Sequence, residues 1–252
     1  MIPTPSFWQS ILVAVVIAAL LSDAPRIRRL KQATSAAARL SAFRSTTVCL
    51  WSAALLALFL AWPHDLFAVP TTGNAMGWLL GSPAMSTGAT VLTVLYFAAG
   101  LGPGIHCMLH SAVRPKYRAA LLSLEYMLPV SSHERRWWVA VSLSAGVCEE
   151  VFFRSFLPQF LTGQLHGSWT LDPTVAWLVS AVAFGMCHFY QGVGGIVRTT
   201  IGALLLSLAA ILSGTILLPV VLHVLLDLAI LPLYRPLLDN PAETARPVTG
   251  ET

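Results

Sequence analysis

The stretch AGVCEEVFFRSF, residues 145–156, sits inside an otherwise apolar run, with two adjacent glutamates, Glu149 and Glu150, and Arg154 four residues after the second. In hydrocarbon each such charge costs about 3 kcal/mol even on lenient scales. The run therefore has to be housed where its charges find partners, inside a bundle of helices. The composition agrees. The chain has 252 residues, of which 56% are hydrophobic and 10% charged. Water-soluble domains carry about 25% charge. The apolar residues come in long blocks separated by short polar stretches, and a membrane span needs roughly 20 such residues. The expected fold is all-α: a polytopic membrane bundle of about seven helices (six to eight), one membrane domain over residues 1–252 with no sizeable soluble part.

The spans are expected near 6–22, 46–63, 88–109, 137–160, 173–191, 196–213 and 215–234. The stretch Ala75–Leu80 could dip into the membrane. Trp8, Trp62, Trp137, Trp138, Trp169 and Trp177 fall near span edges, where amphipathic rings favour the headgroup layer. The block Phe7–Leu21 has its positive charges after it and no small-residue cleavage site, so it is expected to be an anchor and not a signal peptide. The connector at 110–136 holds YRAALLSLEYMLP, either an interfacial helix or an ordinary loop. The tail 240–252, with two prolines and little apolar content, is expected to be disordered.

Net charge is +4, and its distribution excludes a nucleic-acid patch. Arg26, Arg28, Arg29, Lys31, Arg39 and Arg44 follow span one. Arg114, Lys116, Arg118, Arg135 and Arg136 follow span three, Arg198 separates spans five and six, and Arg235 and Arg246 follow span seven. Fourteen of the 15 Lys and Arg residues thus fall on one side, and Arg154 lies within span four. The positive-inside rule then puts the N-terminus outside and the C-terminus in the cytoplasm of an inner or plasma membrane. Cys49, Cys107, Cys148 and Cys187 form no CxxC pair, which argues against a disulfide framework or a zinc knuckle. Cys148 and Cys187 are read as packing residues.

Other polar groups fall inside spans. FGMCHF places Phe184 and His188 four apart, and HVLLD does the same for His223 and Asp227. Residues four apart share a helix face, so His223 and Asp227 can point together into one cavity. Glu150 and Arg154 can pair along the helix, whereas Glu149 lies about 100° around from Glu150 and meets another neighbour. Glu149 and His223 both fall ~18 Å from the cytoplasmic edge at 1.5 Å per residue. Asp227 and His188 lie nearer that edge. Such a carboxylate suits a general base, a histidine beside it can share the activated water or ligate a metal, and a His–Asp pair can stabilise an oxyanion. The parts suggest amide hydrolysis by activated water. His106 and His110, also four apart, are read as interfacial, and His64, His133 and His166 as solvated loop residues.

EEVFFR (149–154), FGMCH (184–188) and HVLLD (223–227) resemble, in order and spacing, the EExxxR, FxxxH and HxxxN/D motifs of the CAAX-protease and bacteriocin-processing (CPBP or Abi) family. The lead-in SGTILLPVVLH resembles that family too, and the likeness covers residues 137–234, the motif-bearing catalytic core. The resemblance implies an intramembrane endopeptidase, acting on a membrane-anchored or lipid-modified protein or peptide; eukaryotic members remove the last three residues of prenylated CAAX proteins. It implies Glu149 as the water-activating base assisted by His188, and His223 with Asp227 as the oxyanion or substrate-holding pair. Glu150, Arg154 and Phe184 would support them. Asp227 departs from the asparagine of many members, and an ionised aspartate donates no hydrogen bond. The family has been described both as metalloproteases and as glutamate-type enzymes. No HExxH is present, so a metal-free mechanism without a cofactor is preferred, with zinc on Glu149, His188 and His223 the alternative. The rival functions are a non-catalytic immunity or scaffold protein of the same fold and a proton-coupled transporter. Paired repeats, which a transporter would be expected to show, are not evident.

The topology has a direct test. Single-cysteine variants of a cysteine-free chain, labelled in intact cells, should react with an impermeant maleimide near residue 4 and stay protected in 110–136. The opposite pattern would invert the assignment.

Overall fold

A computed structural model describes residues 5–21, 24–33, 35–62, 64–67, 69, 80–165 and 171–234. Among them there are helices and no strands. They are α1 (Pro5–Leu21), α2 (Ala24–Ala33), α3 (Ala36–Ala61), α4 (Pro83–Leu109), α5 (Ser132–Glu150), α6 (Pro173–Met186), α7 (Gly192–Ser213) and α8 (Leu217–Leu228). Short helical pieces join them: Ser111–Val113, Arg114–Arg118 and Ala119–Met127 in the connector, Phe189–Gln191 before α7, and Ile230–Leu233 after α8. Beyond Glu150 the chain stays helical through Val151–Phe156 and Leu157–Leu161. The expected excursion at 75–79, Trp169, His166 and the tail 240–252 lie outside the described residues.

The all-α bundle is as expected, with shifted boundaries. The helix of span two begins at Ala36, not residue 46, so Arg39 and Arg44 belong to its first turns and not to a loop. Span five ends as an α-helix at Met186, and His188 adopts φ −98°, ψ 21° in the turn beyond. Ala36–Ala61, Pro83–Leu109 and Phe189–Ser213 are long and apolar enough to cross a membrane, while Phe7–Ala18, Pro173–Met186 and Leu217–Leu233 are apolar but shorter. Two tryptophans expected at the interface are inside the bundle. Trp138 is buried and donates its indole N–H to the Asp227 carbonyl at 3.0 Å, and Trp177 lies in the main core. An indole carries a donor that a nearby carbonyl satisfies, so an edge position in sequence did not mean a lipid contact. The connector helix is a 3₁₀ stretch, Ala119–Met127.

α5 is the centre of the packing, with α3 on one side and α8 on another, while α6 packs on α7 and α7 on α4. Small residues make these approaches close. α3 buries Ala54, Ala57 and Ala61. On α5 a Cβ at Gly146 would collide with Val224 Cγ2 and lie 3.2 Å from the Val220 carbonyl oxygen. At Gly185 of α6 it would collide with the Thr200 hydroxyl of α7. One core runs from Ala54 and Ala57 through Phe152, Phe153, Phe156 and Phe160 to Trp177 and Phe184, and both Cys148 and Cys187 pack in or against it.

The stretch Val151–Phe156 is π-helical, and a proline follows it closely. The Leu157 N–H bonds the Phe152 carbonyl, five residues back. The carbonyl of Phe153 would next take the N–H of residue 158, but Pro158 has none. Ser180 of α6 donates its hydroxyl to that Phe153 carbonyl instead, so a backbone group left over in one helix is satisfied by its neighbour.

The start of α5 is pinned electrostatically. Ser131 and Glu134 form a capping box, and the buried Glu134 carboxylate also accepts from Arg39 Nε of α3 at 2.7 Å and from the Ser131 N–H at 2.6 Å. Glu134 precedes the apolar part of the helix. Burial pushes its carboxyl up, but the Ser131 N–H, Arg39 and the Ser131 hydroxyl together outweigh burial and hold it below the ordinary glutamate value. A lowered carboxylate adds stability above its unfolded pKa and loses it as pH falls through the folded one. Glu134→Gln should therefore cost about 3 kcal/mol at neutral pH, read as a lower unfolding temperature in detergent. The gap to the unsubstituted protein should close below about pH 4; a gap that persists there would show that the charge is not the cause.

Candidate active site

The polar residues of the three motifs meet where the end of α5, the turn after α6 and the middle of α8 converge. Gly146 is the local reason. Because it has no side chain, Val220 and Val224 of α8 come against α5 one turn before Glu150, which carries the intervening His223 up to the glutamates. His223 Nδ1 is 2.7 Å from Glu150 Oε1. A carboxylate there accepts, so Nδ1 carries the hydrogen and the remaining ring nitrogen, Nε2, faces the other carboxylates. It is 3.7 Å from Glu149 Oε2 and 3.9 Å from Asp227 Oδ2.

The expected Glu150–Arg154 pair is present, with Arg154 Nε 3.0 Å from Glu150 Oε2. The arginine lies in the π-helical stretch, fully enclosed, with its guanidinium carbon 4.3 Å from the Phe184 ring centre. That cation–π contact compensates a guanidinium whose Nη1 and Nη2 have no hydrogen-bond partner among the described residues. Phe184 also meets Phe153 at 5.2 Å, His188 at 4.8 Å and His223 at 5.9 Å between ring centres. It is the apolar post around which the ionisable groups are arranged.

Glu149 and Glu150 differ in burial, but both face His223 and not the different neighbours expected from their positions around the helix. The Glu150 side chain is 0% exposed and holds both Arg154 and His223, while that of Glu149 is 20% exposed and that of Asp227 34%. Glu149 and Asp227 thus keep some exposed side-chain surface, and Glu150 none. Sequence reasoning missed the Glu150–His223 bond: spacing gives contacts within a helix, and this one joins helices 73 residues apart.

His188 is drawn in less tightly. Its Nδ1 is 2.9 Å from the Phe184 carbonyl oxygen. A carbonyl only accepts, so Nδ1 carries the hydrogen and a neutral ring keeps Nε2 as an acceptor. No ion-pair contact within 4.0 Å joins His188 to Glu149 or Asp227 among the described residues; Phe184 is its link to the cluster. Among the described residues no group of three His, Cys, Asp or Glu lies in metal-ligating geometry. His106 and His110 stand apart from the site. Their rings are 5.5 Å apart, and His106 Nδ1 is 3.1 Å from the Tyr117 hydroxyl.

Residues 132–229 match the family model described as type II CAAX prenyl endopeptidase, Rce1-like. The matched segment holds all seven of the side chains Glu149, Glu150, Arg154, Phe184, His188, His223 and Asp227. Comparison with curated proteins and with solved structures gave no significant match. With its apolar helices, the chain is an integral membrane protein. The likeness is confined to residues 132–229 and agrees there with the resemblance of the three motifs to the CPBP family.

Proposed function

We propose that the protein is an intramembrane endopeptidase in which Glu149 activates water for attack on a peptide bond of a membrane-anchored or lipid-modified substrate. The observation that carries this reading is the division of labour between the two glutamates. Glu150 is sealed, with its oxygens on Arg154 and His223, whereas the Glu149 side chain keeps some exposed surface and lies 3.7 Å from His223 Nε2. Beyond that 3.7 Å approach Glu149 has no hydrogen-bond partner among the described residues, so its carboxylate is available to take a proton.

In the reaction Glu149 takes a proton from water as the oxygen attacks the carbonyl carbon. His188, with Nε2 as acceptor, helps to hold that water. The oxyanion meets His223, whose Nδ1–H is committed to Glu150 and whose Nε2, carrying a second proton, donates to it. Asp227, 3.9 Å from Nε2, orients the ring and offers no donor of its own when ionised. Glu149 then returns its proton to the amide nitrogen, the C–N bond breaks, and a carboxylate and an amine leave. No step passes through a metal. The distribution of basic residues supports a site towards the cytoplasmic half of the membrane, with the N-terminus outside and the C-terminus inside.

Glu149→Gln should lower cleavage of a farnesylated CAAX peptide in liposomes by about a thousandfold while the unfolding temperature stays within a few degrees. Undiminished cleavage would remove Glu149 from the mechanism. The unsubstituted protein should keep full activity after exhaustive chelation, and loss restored by zinc would replace the metal-free account.

A further inference from the structure

Beyond the motif residues, a second polar chain reaches the site from α7. The short helix Phe189–Gln191 follows His188, and Gly192 then takes φ +76° to turn the chain into α7, a conformation that favours glycine. The turn folds Gln191 back over α7, where Gly195 leaves it room; a Cβ at 195 would collide with that of Gln191. Two turns along, Arg198 Nη2 donates to Gln191 Oε1 at 2.8 Å. Gln191 Nε2 in turn donates to the Tyr190 hydroxyl oxygen at 3.2 Å.

The direction of this chain follows from chemistry. Arginine only donates, so the amide atom facing it must be the oxygen, and the atom facing Tyr190 must be the NH₂. The Tyr190 oxygen is thus an acceptor here, and its own hydrogen has no acceptor among the described residues. The ring lies 5.7 Å from that of His188. Tyr126 of the connector likewise has a buried hydroxyl with no hydrogen-bond partner among the described residues. An unspent donor on Tyr190 therefore lies beside His188, where a peptide backbone would bring carbonyls. Resting on the endopeptidase reading, we propose that the Tyr190 hydroxyl is a substrate-contacting hydrogen-bond donor, aimed at a peptide carbonyl by the Arg198–Gln191 pair. Gln191 and Arg198 act through Tyr190 as positioning residues.

The relay is tested by substitutions that keep its atoms but reverse its polarity. Tyr190→Phe should lower kcat/KM for a farnesylated CAAX peptide about tenfold. Gln191→Glu keeps the contact with Arg198, yet its carboxylate accepts from Tyr190 and turns the phenolic hydrogen away from the substrate. It should cost as much as Tyr190→Phe and add nothing in the Tyr190→Phe background. In the non-cleaving Glu149→Gln variant, Tyr190→Phe should weaken binding of the same peptide by a similar factor. Unchanged binding and kcat/KM in Tyr190→Phe, or additive losses in the double variant, would overturn the relay. Cleavage by the unsubstituted protein that Glu149→Gln abolishes would keep the protease reading intact in either case. Absence of cleavage by the unsubstituted protein would overturn both.

Discussion

The arrangement rests on one buried carboxylate. Glu150 is enclosed completely, and its two oxygens are divided between Arg154 on its own helix and His223 on α8. Removing a carboxylate from water costs several kcal/mol, recovered only when the partners are close and well placed. Each partner therefore constrains the others. Arg154 has to sit where both Glu150 and the face of Phe184 meet its guanidinium. His223 has to present Nδ1 to Glu150, which leaves Nε2 for Glu149 and Asp227. The geometry around Glu149 is in that sense a by-product of solving the problem of Glu150.

Solving it needs helices that approach more closely than ordinary side chains allow. Gly146 brings α8 to α5 and Gly185 brings α7 to α6. Each lies close to a motif residue, Gly146 one turn before Glu150 and Gly185 next to Phe184. Lipid offers no hydrophobic drive for helix association, so contact area between small residues and a few polar bonds must supply it. The Trp138 indole on the Asp227 carbonyl and the Trp51 indole on the Ser144 hydroxyl, 3.0 Å each, are bonds of that kind.

What could be read from the sequence were the relations within a helix. The Glu150–Arg154 pair and the shared face of His223 and Asp227 follow from 3.6 residues per turn, whereas the meeting of both glutamates with His223 does not. The charge asymmetry and apolar blocks led to a helical bundle with about the right order of helices. Relations between helices stayed hidden. Nothing in the spacing shows that His223 binds Glu150, that His188 lies beyond the helix end, or that Trp138 turns inward. The early start of α3 was missed because Arg39 reads as a loop residue until Glu134, 95 residues later, is seen beside it. Tyr190 and Gln191 were passed over because their meaning depends on a glycine turn and on Arg198.

Pro158 shows how a flaw in one helix becomes a fastening between two. In water, a carbonyl robbed of its amide partner is repaired by solvent at little cost. In hydrocarbon no such repair exists, and the vacancy attracts the nearest hydroxyl, that of Ser180. Ser180 sits one turn before Phe184 on α6, so the carbonyl left over in the first motif's helix also sets the register of the second motif against it. Two segments separated along the chain are indexed to each other by a missing proton.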